Sequence, residues 1–404
     1  MNDIFIFNPT GEMAIANGMV SYMPPKKLRT FEEDLSFLPS FYAQKGDIII
    51  TPQKPDESFL KKWQTLGLPS LKFQTLSECK LNTQYNYLRP WSWNKAIHHK
   101  FKEIKPHASD LFKQSPNYKW DADHKDFFSR QTTNKIQKHL RQQNIANNPV
   151  KIESEAICIH SIQEFDKWMN TQSSAILKMP WSSSGRGIHT IDPANNFPIN
   201  YPWLRGALKQ QGYVTAEPLL NKKFDFSFQL MLEANGEINL SGISYFINDD
   251  KGHFTGGHIK WPHRQNKTSA FLNNDVLNTA ATHLIEAIKT VNPQRFYEGP
   301  IGVDAIVYEN KNSDLKIHPC VDINWRYNMG IVNISLPKFL DDDSIGVWKV
   351  GAFESGKWNS FIEQNEKEKP LILNNSKIIS GFVPMTPPNA NAHFGVWMEV
   401  WQKQ

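Results

Sequence analysis

The clearest pattern along the chain is a strict alternation between residues 224 and 232, with Phe224, Phe226, Phe228, Leu230 and Leu232 on one face and Asp225 on the other. A period of two is that of a strand with one buried side. Asn235-Gly236 supplies a hairpin turn into a second strand over 238–245. Short apolar runs at 3–7 and 47–51 read as buried strands, the first ending at Asn8-Pro9-Thr10-Gly11. Helical spacing over 59–66 completes a βαβ-like N-terminal unit. Residues 82–126 mix Trp, Tyr, His and Lys around Arg89-Pro90-Trp91-Ser92-Trp93 and fit no sheet pattern; such aromatic clusters fill core gaps.

Further along, a helix is expected from Ser129 through Leu140, and Ser161-Ile162-Gln163-Glu164 is a capping box opening another. Strands at 175–179 and 187–191 flank a Ser/Gly loop. Residues 275–291 form a helix, because Val276, Ala280, Leu284 and Ile288 fall on one stripe. Two more strands, 302–308 and 315–323, are joined by the turn-rich Asn310-Lys311-Asn312-Ser313-Asp314. Helices followed by runs of antiparallel strands indicate α+β lobes rather than a doubly wound parallel sheet.

Composition narrows the class. The 404 residues exceed what one hydrophobic core normally serves, so at least two packed units are expected. With 40 % hydrophobic and 21 % charged residues the chain is neither disordered nor collagen-like nor a coiled coil. The net charge of +5 is too dilute to specify a nucleic-acid partner, and it is uneven: residues 1–150 hold 21 Lys/Arg against 14 Asp/Glu. Cys79, Cys158 and Cys320 are widely spaced, as reduced structural thiols would be. No basic segment leads into an apolar run at the start and no eighteen apolar residues run together, which sets the expectation of a soluble, cytoplasmic protein without a membrane partner.

Three constellations carry chemistry. In the first, Lys178 lies inside the apolar strand Ile176-Leu177-Lys178-Met179, where a cation needs an anion, and Ser182, Ser183, Ser184, Gly185, Arg186 and Gly187 follow. Small residues let backbone N–H groups approach phosphate oxygens, and Arg186 adds charge, so the unit suits a polyphosphate. The alternative is a plain hairpin tip. In the second, a hairpin turn centred on Ser313 places Asp304 opposite Asp322, with Asn324 on the same face. Opposed carboxylates repel unless a proton or cation lies between them, and oxygen-only ligands suit magnesium. If the register slips by one, the two acids become solvated strand ends. In the third, Val214-Thr215-Ala216-Glu217-Pro218-Leu219-Leu220 feeds the alternating strand. Such a connector offers backbone groups to a purine edge, and Asp225 a carboxylate to a ribose hydroxyl; the alternative is a plain β-connection with two surface acids. Glu12 and Asn17, just after the first strand, sit where α/β sheets commonly bind ligands, with turn and cap roles favoured for them.

The order of these pieces resembles the ATP-grasp enzymes: a strand lysine before a small-residue loop, a Glu-led hinge, Asp225-Phe226-Ser227, and two acidic strands, Gly302-Val303-Asp304 and Val321-Asp322-Ile323-Asn324-Trp325-Arg326. The likeness covers roughly residues 126–335. It implies an α+β, ATP-grasp fold of two lobes holding ATP, at 126–215 and 216–335, preceded by an α/β domain at 1–125 and followed by an extension at 336–404. It implies further that Lys178 binds the α/β-phosphates, that the loop covers the γ-phosphate, and that Glu217 and Leu220 line adenine with Asp225 on the ribose. Asp304, Asp322 and Asn324 would hold Mg2+. Arg326 resembles an arginine near a reacting acyl phosphate, Lys260 a phosphate-side lysine, and Arg130 the cation that precedes the first lobe. The activity implied is a ligase joining a small-molecule carboxylate to an amine or thiol through an acyl phosphate. A kinase on the same ATP site, and a non-catalytic carbohydrate- or nucleic-acid-binding protein, remain open on these residues, as does oligomeric state.

Overall fold

The computed structural model describes residues 1–404 except 82, 144–148, 154, 183–184, 250–253, 261–266 and 404. Three sheets organise it. In the N-terminal unit the strands β1 (Ile4–Ile6), β2 (Ile48–Ile50), β3 (Lys72–Gln74) and β4 (Leu88–Pro90) pair in parallel in the order β3-β2-β1-β4. The apolar runs at 3–7 and 47–51 are therefore parallel strands buried on both faces, as such sheets require. The fourth strand is the start of the Arg89–Trp93 cluster. Trp91 and Trp93 are 2 % and 4 % exposed, on opposite sides of the sheet, so the cluster is core.

A small antiparallel sheet follows, formed by β5 (Ile157–Ile159), β6 (Ala175–Lys178), β7 (Ile188–Ile191) and β8 (Val214–Pro218) in the order β5-β8-β6-β7. It has its own core, where Leu177, Ile191, Leu204 and Val214 meet Phe165. The helix Ile162–Met169 is capped by Ser161, whose hydroxyl accepts from the Glu164 N–H at 3.1 Å. The Glu164 carboxylate takes the His160 N–H at 2.7 Å, so the reciprocal half of the capping box closes one residue further out than expected.

The third sheet has nine strands in the order β13-β12-β9-β10-β11-β14-β17-β16-β15. These are β9 (Asn221–Leu232), β10 (Ile238–Asn248), β11 (Phe254–Ile259), β12 (Gly299–Glu309), β13 (Leu315–Asn324), β14 (Ser344–Ala352), β15 (Ile372–Asn374), β16 (Lys377–Pro384) and β17 (Phe394–Gln402). Residues 336–404 thus supply four of its strands. Alternation along β9 divides the sheet. Phe226, Phe228, Leu230 and Leu232 are fully buried with Ile301, Val303, Ala305 and Val307 of β12. Each such large side chain contributes roughly 1.5–3 kcal/mol of transfer free energy. The helix Asn274–Lys289, capped by Asn273, packs Leu277, Ala280, Ala281, Leu284 and Ile288 into the same core. Val276 is partly buried against this core, and Leu277 adds to the stripe. The opposite face carries Asp225, Ser227, Asp304, Asp322 and Asn324, because directly paired residues point the same way.

Among the described residues, no helix is long and apolar enough to cross a membrane.

Candidate functional site

Asp304 of β12 pairs directly with Asp322 of β13, and Gly302 with Asn324. Nearer the turn, however, Glu309 pairs with Leu315 and Ile306 with His318, two residues out of step with a turn centred on Ser313. Ala305 alone faces Pro319, Cys320 and Val321, a bulge that restores the expected pairing by the time the strands reach Asp304. Pro319 has no N–H for the ladder, which is why pairing gives way there.

The bulge turns its carbonyls toward the small sheet. Gln137, buried on the helix Arg130–Gln142, donates to the Cys320 carbonyl at 2.9 Å and accepts the Ala156 N–H at 3.3 Å. Lys178, at the end of β6 and 4 % exposed, donates its ammonium to the Val321 carbonyl at 2.9 Å and forms an ion pair with Glu217 of β8. The buried cation in an apolar strand has thus found its anion one strand away.

Arg130 occupies the next position along the cleft. Its guanidinium grips both oxygens of Asp322, with Nε to Oδ1 at 3.2 Å, and also bonds the Ser182 hydroxyl at 2.7 Å and the Met179 carbonyl. Gly187 makes this approach possible, since a Cβ there would lie 2.3 Å from the Ser182 side chain. Gly185 takes a left-handed φ of 73°, Arg186 is exposed, and Ser183 and Ser184 lie outside the described residues.

Arg326 closes the other end. Its Nη2 donates to Asn324 Oδ1 at 2.8 Å and its Nε forms an ion pair with Glu12, both side chains being largely buried. Glu12 opens the helix Gly11–Asn17, where its sequence context favours a turn or cap role over a ligand contact. Its neighbour Gly11 abuts Ser92, where a Cβ would clash. An acid just beyond the carboxyl end of a parallel strand was the available signal.

One cleft is lined by Glu12, Ser92, Arg130, Ser182, Asp322, Asn324 and Arg326, from all three sheet units. Asp304 lies on the same sheet face. Its carboxyl is pushed up to about 7, chiefly by burial and then by the Asp322 charge, with Arg326 opposing. Asp225 is also on this face and bonds Lys222 at 2.7 Å and Asn248 at 3.1 Å. Leu220 is half-buried in the connection from β8 to β9.

Lys260 is not brought here. It follows β11, three strand positions or about 14 Å from β12. Its ammonium bonds the Asp341 carbonyl at 2.7 Å.

No family model matches this sequence, and no curated protein matches it. Solved structures do. The biotin carboxylase of Campylobacter jejuni, in a complex with β,γ-ATP, matches at 12 % identity and a TM-score of 0.50, covering 100 % of this chain and 88 % of that one. The biotin carboxylase domain of Hydrogenobacter thermophilus 2-oxoglutarate carboxylase matches at 9 % and 0.49, covering 98 % and 86 %. The N5-carboxyaminoimidazole synthetase of Staphylococcus aureus matches at 11 % and 0.47, covering 99 % and 93 %.

Proposed function

We propose that this chain, whose fold is the ATP-grasp fold, is a magnesium- and ATP-dependent ligase that activates a small-molecule carboxylate as an acyl phosphate for capture by an amine or thiol, with carbon–nitrogen bond formation the principal outcome. The observation that carries this reading is the direct pairing of Asp304 with Asp322 on the polar face of the nine-stranded sheet, in a cleft also supplied with Arg130 and Arg326. That the biotin carboxylase sharing the fold was solved with β,γ-ATP supports the choice of nucleotide.

The residues fit the metal. Asp304, Asp322 and Asn324 are hard oxygen donors on one face, and the raised pKa of Asp304 records a charge that burial and Asp322 disfavour and a divalent cation stabilises. Bound there, magnesium would supply charge neutralisation at the transferring phosphoryl group.

The chain's own groups do the rest by position and charge. Lys178 and the loop of Ser182, Gly185, Arg186 and Gly187 bind the triphosphate. Glu217 and Leu220 border the adenine, and Asp225 accepts a ribose hydroxyl. Arg326, held by Glu12, stabilises the oxyanion that develops as the carboxylate attacks the γ-phosphorus. No side chain need abstract a proton to make that nucleophile.

Calorimetry with Mg-ATP tests the first half, and absence of binding would overturn it. Phosphate release over a panel of amino acids, hydroxy acids, short peptides and bicarbonate, with hydroxylamine present, tests the second. A hydroxamate identifies an acyl phosphate, whereas phosphoryl transfer to a stable acceptor yields none.

A further inference from the structure

Asp322 already has a cation. Arg130 is 6 % exposed and presents Nε and Nη2 to the two carboxylate oxygens in a fork, while the Ile323 N–H adds a bond to Oδ1 at 3.1 Å. The same guanidinium is held from the other side by the Met179 carbonyl and by Ser182, whose hydroxyl accepts at 2.7 Å and whose carbonyl lies at 3.5 Å. Its backbone N–H donates to the Pro180 carbonyl at 3.2 Å. Asp304, directly across the ladder, receives the Asn324 amide at 3.4 Å.

We propose that Arg130 is the resident counter-cation of Asp322 and that a divalent cation must displace it from at least one carboxylate oxygen, so that metal binding and the Arg130 fork exclude each other. This rests on the reading of the Asp304–Asp322 pair as a divalent-cation site. A carboxylate oxygen committed to a guanidinium N–H has lost the lone-pair direction a hard cation requires, and two cations on one carboxylate repel in a poorly hydrated cleft. Displacement does not strand the arginine. Met179 and Ser182 still hold Nη1, and the freed Nε and Nη2 donors lie on the wall of the cleft, available to an anion arriving with the metal. Arg130 thereby ties the occupancy of Asp322 to the Pro180–Ser182 segment of the loop between β6 and β7. Its role is positional: it decides when Asp322 is free.

Mn2+ alone, without nucleotide and at pH 8, is the probe, with free Mn2+ read by electron paramagnetic resonance. Arg130→Met is expected to bind Mn2+ at least about tenfold more tightly than the unmodified protein, with Arg130→Lys between them because an ammonium cannot fork across a carboxylate. Asp304→Asn in the Arg130→Met background should remove the gain, assigning it to this pair. Equal Mn2+ affinity in unmodified, Lys and Met proteins overturns the counter-cation role. No Mn2+ binding in any of them overturns the metal site beneath it. Arg130→Lys keeps a buried charge, so if the Met variant does not fold, unmodified against Lys decides the outcome.

Discussion

Asp304 and Asp322 face each other across β12 and β13 because the three residues Pro319, Cys320 and Val321 stand opposite Ala305 alone. The bulge does two things at once. It sets the acids in register, and it turns the Cys320 and Val321 carbonyls to Gln137 and Lys178. The facing of the two acids and the anchoring of the small sheet are therefore products of one local irregularity.

Replacing either acid by Asn removes the negative charge that a divalent cation favours while nearly keeping the side chain's shape. Asp304→Asn and Asp322→Asn are each expected to weaken ATP binding by about 10- to 100-fold in excess Mg2+ and to change it little in EDTA, since a lost metal contact acts only through the metal. Calorimetry in the two buffers makes the comparison. Equal losses in both would mean the acids act on the nucleotide site by some other route.

Glu12 and Arg326 join the N-terminal unit to the end of β13, with side chains 14 % and 11 % exposed. Glu12→Ala leaves the guanidinium with Asn324 and the Tyr327 carbonyl as neutral partners. It should cost about 3 kcal/mol in urea unfolding, because a buried charge loses its directly paired carboxylate. Adding Arg326→Met should recover most of that loss. Additive losses in the double variant would show that the pair is not coupled.

These residues also show what the sequence could and could not disclose. The alternation from Phe224 to Leu232 is a local property, and it correctly divides β9 into a buried and a polar face. The Asp304–Asp322 pairing was legible although the turn was misplaced by one residue, because the bulge compensates. The pairing of Glu12 with Arg326 was not legible, since the two are 314 positions apart and only the fold brings them together. β4 escaped notice because a three-residue parallel strand ending in proline, with buried tryptophans following, carries no periodic signal. Lys260 took its expected place from motif order alone, and the strand order of the sheet places it with Asp341 instead.

His98 predicts the acid limb of the stability profile. Burial first, and then the nearby Lys105 and His124 charges, hold its pKa down to about 3, and Lys105 Nζ lies 3.0 Å from its Nδ1. Between about 6.5 and 3 the unfolded chain binds a proton at this position and the folded chain does not, so stability should fall as pH is lowered through that window. His318, pushed down to about 4 by burial, acts in the same direction. The midpoint of thermal unfolding should drop from pH 7 to pH 4. His98→Gln, which keeps an acceptor for Lys105, should flatten part of the slope. An unchanged slope would place the acid sensitivity elsewhere.

Lys178 poses the sharpest choice between structure and function. Its ammonium is shared between Glu217 and the Val321 carbonyl, which makes it a link between the small sheet and the bulge and engages two of its three N–H donors. Lys178→Met strands Glu217, at 9 % exposure, and some loss of stability follows whatever else the lysine does. The double variant Lys178→Met plus Glu217→Leu removes both charges and replaces them with apolar groups of similar size on the sheet face that Ile176 and Thr215 share. If the lysine serves only as a link, the double variant should regain both stability and Mg-ATP affinity. If it also contacts the triphosphate, stability should return while Mg-ATP affinity stays at least about tenfold below that of the unmodified protein, the worth of one charge-assisted contact. The second result is expected, because Lys178 ends its strand where Met179 and Ser182 hold Arg130, whose guanidinium reaches Asp322 in the cleft.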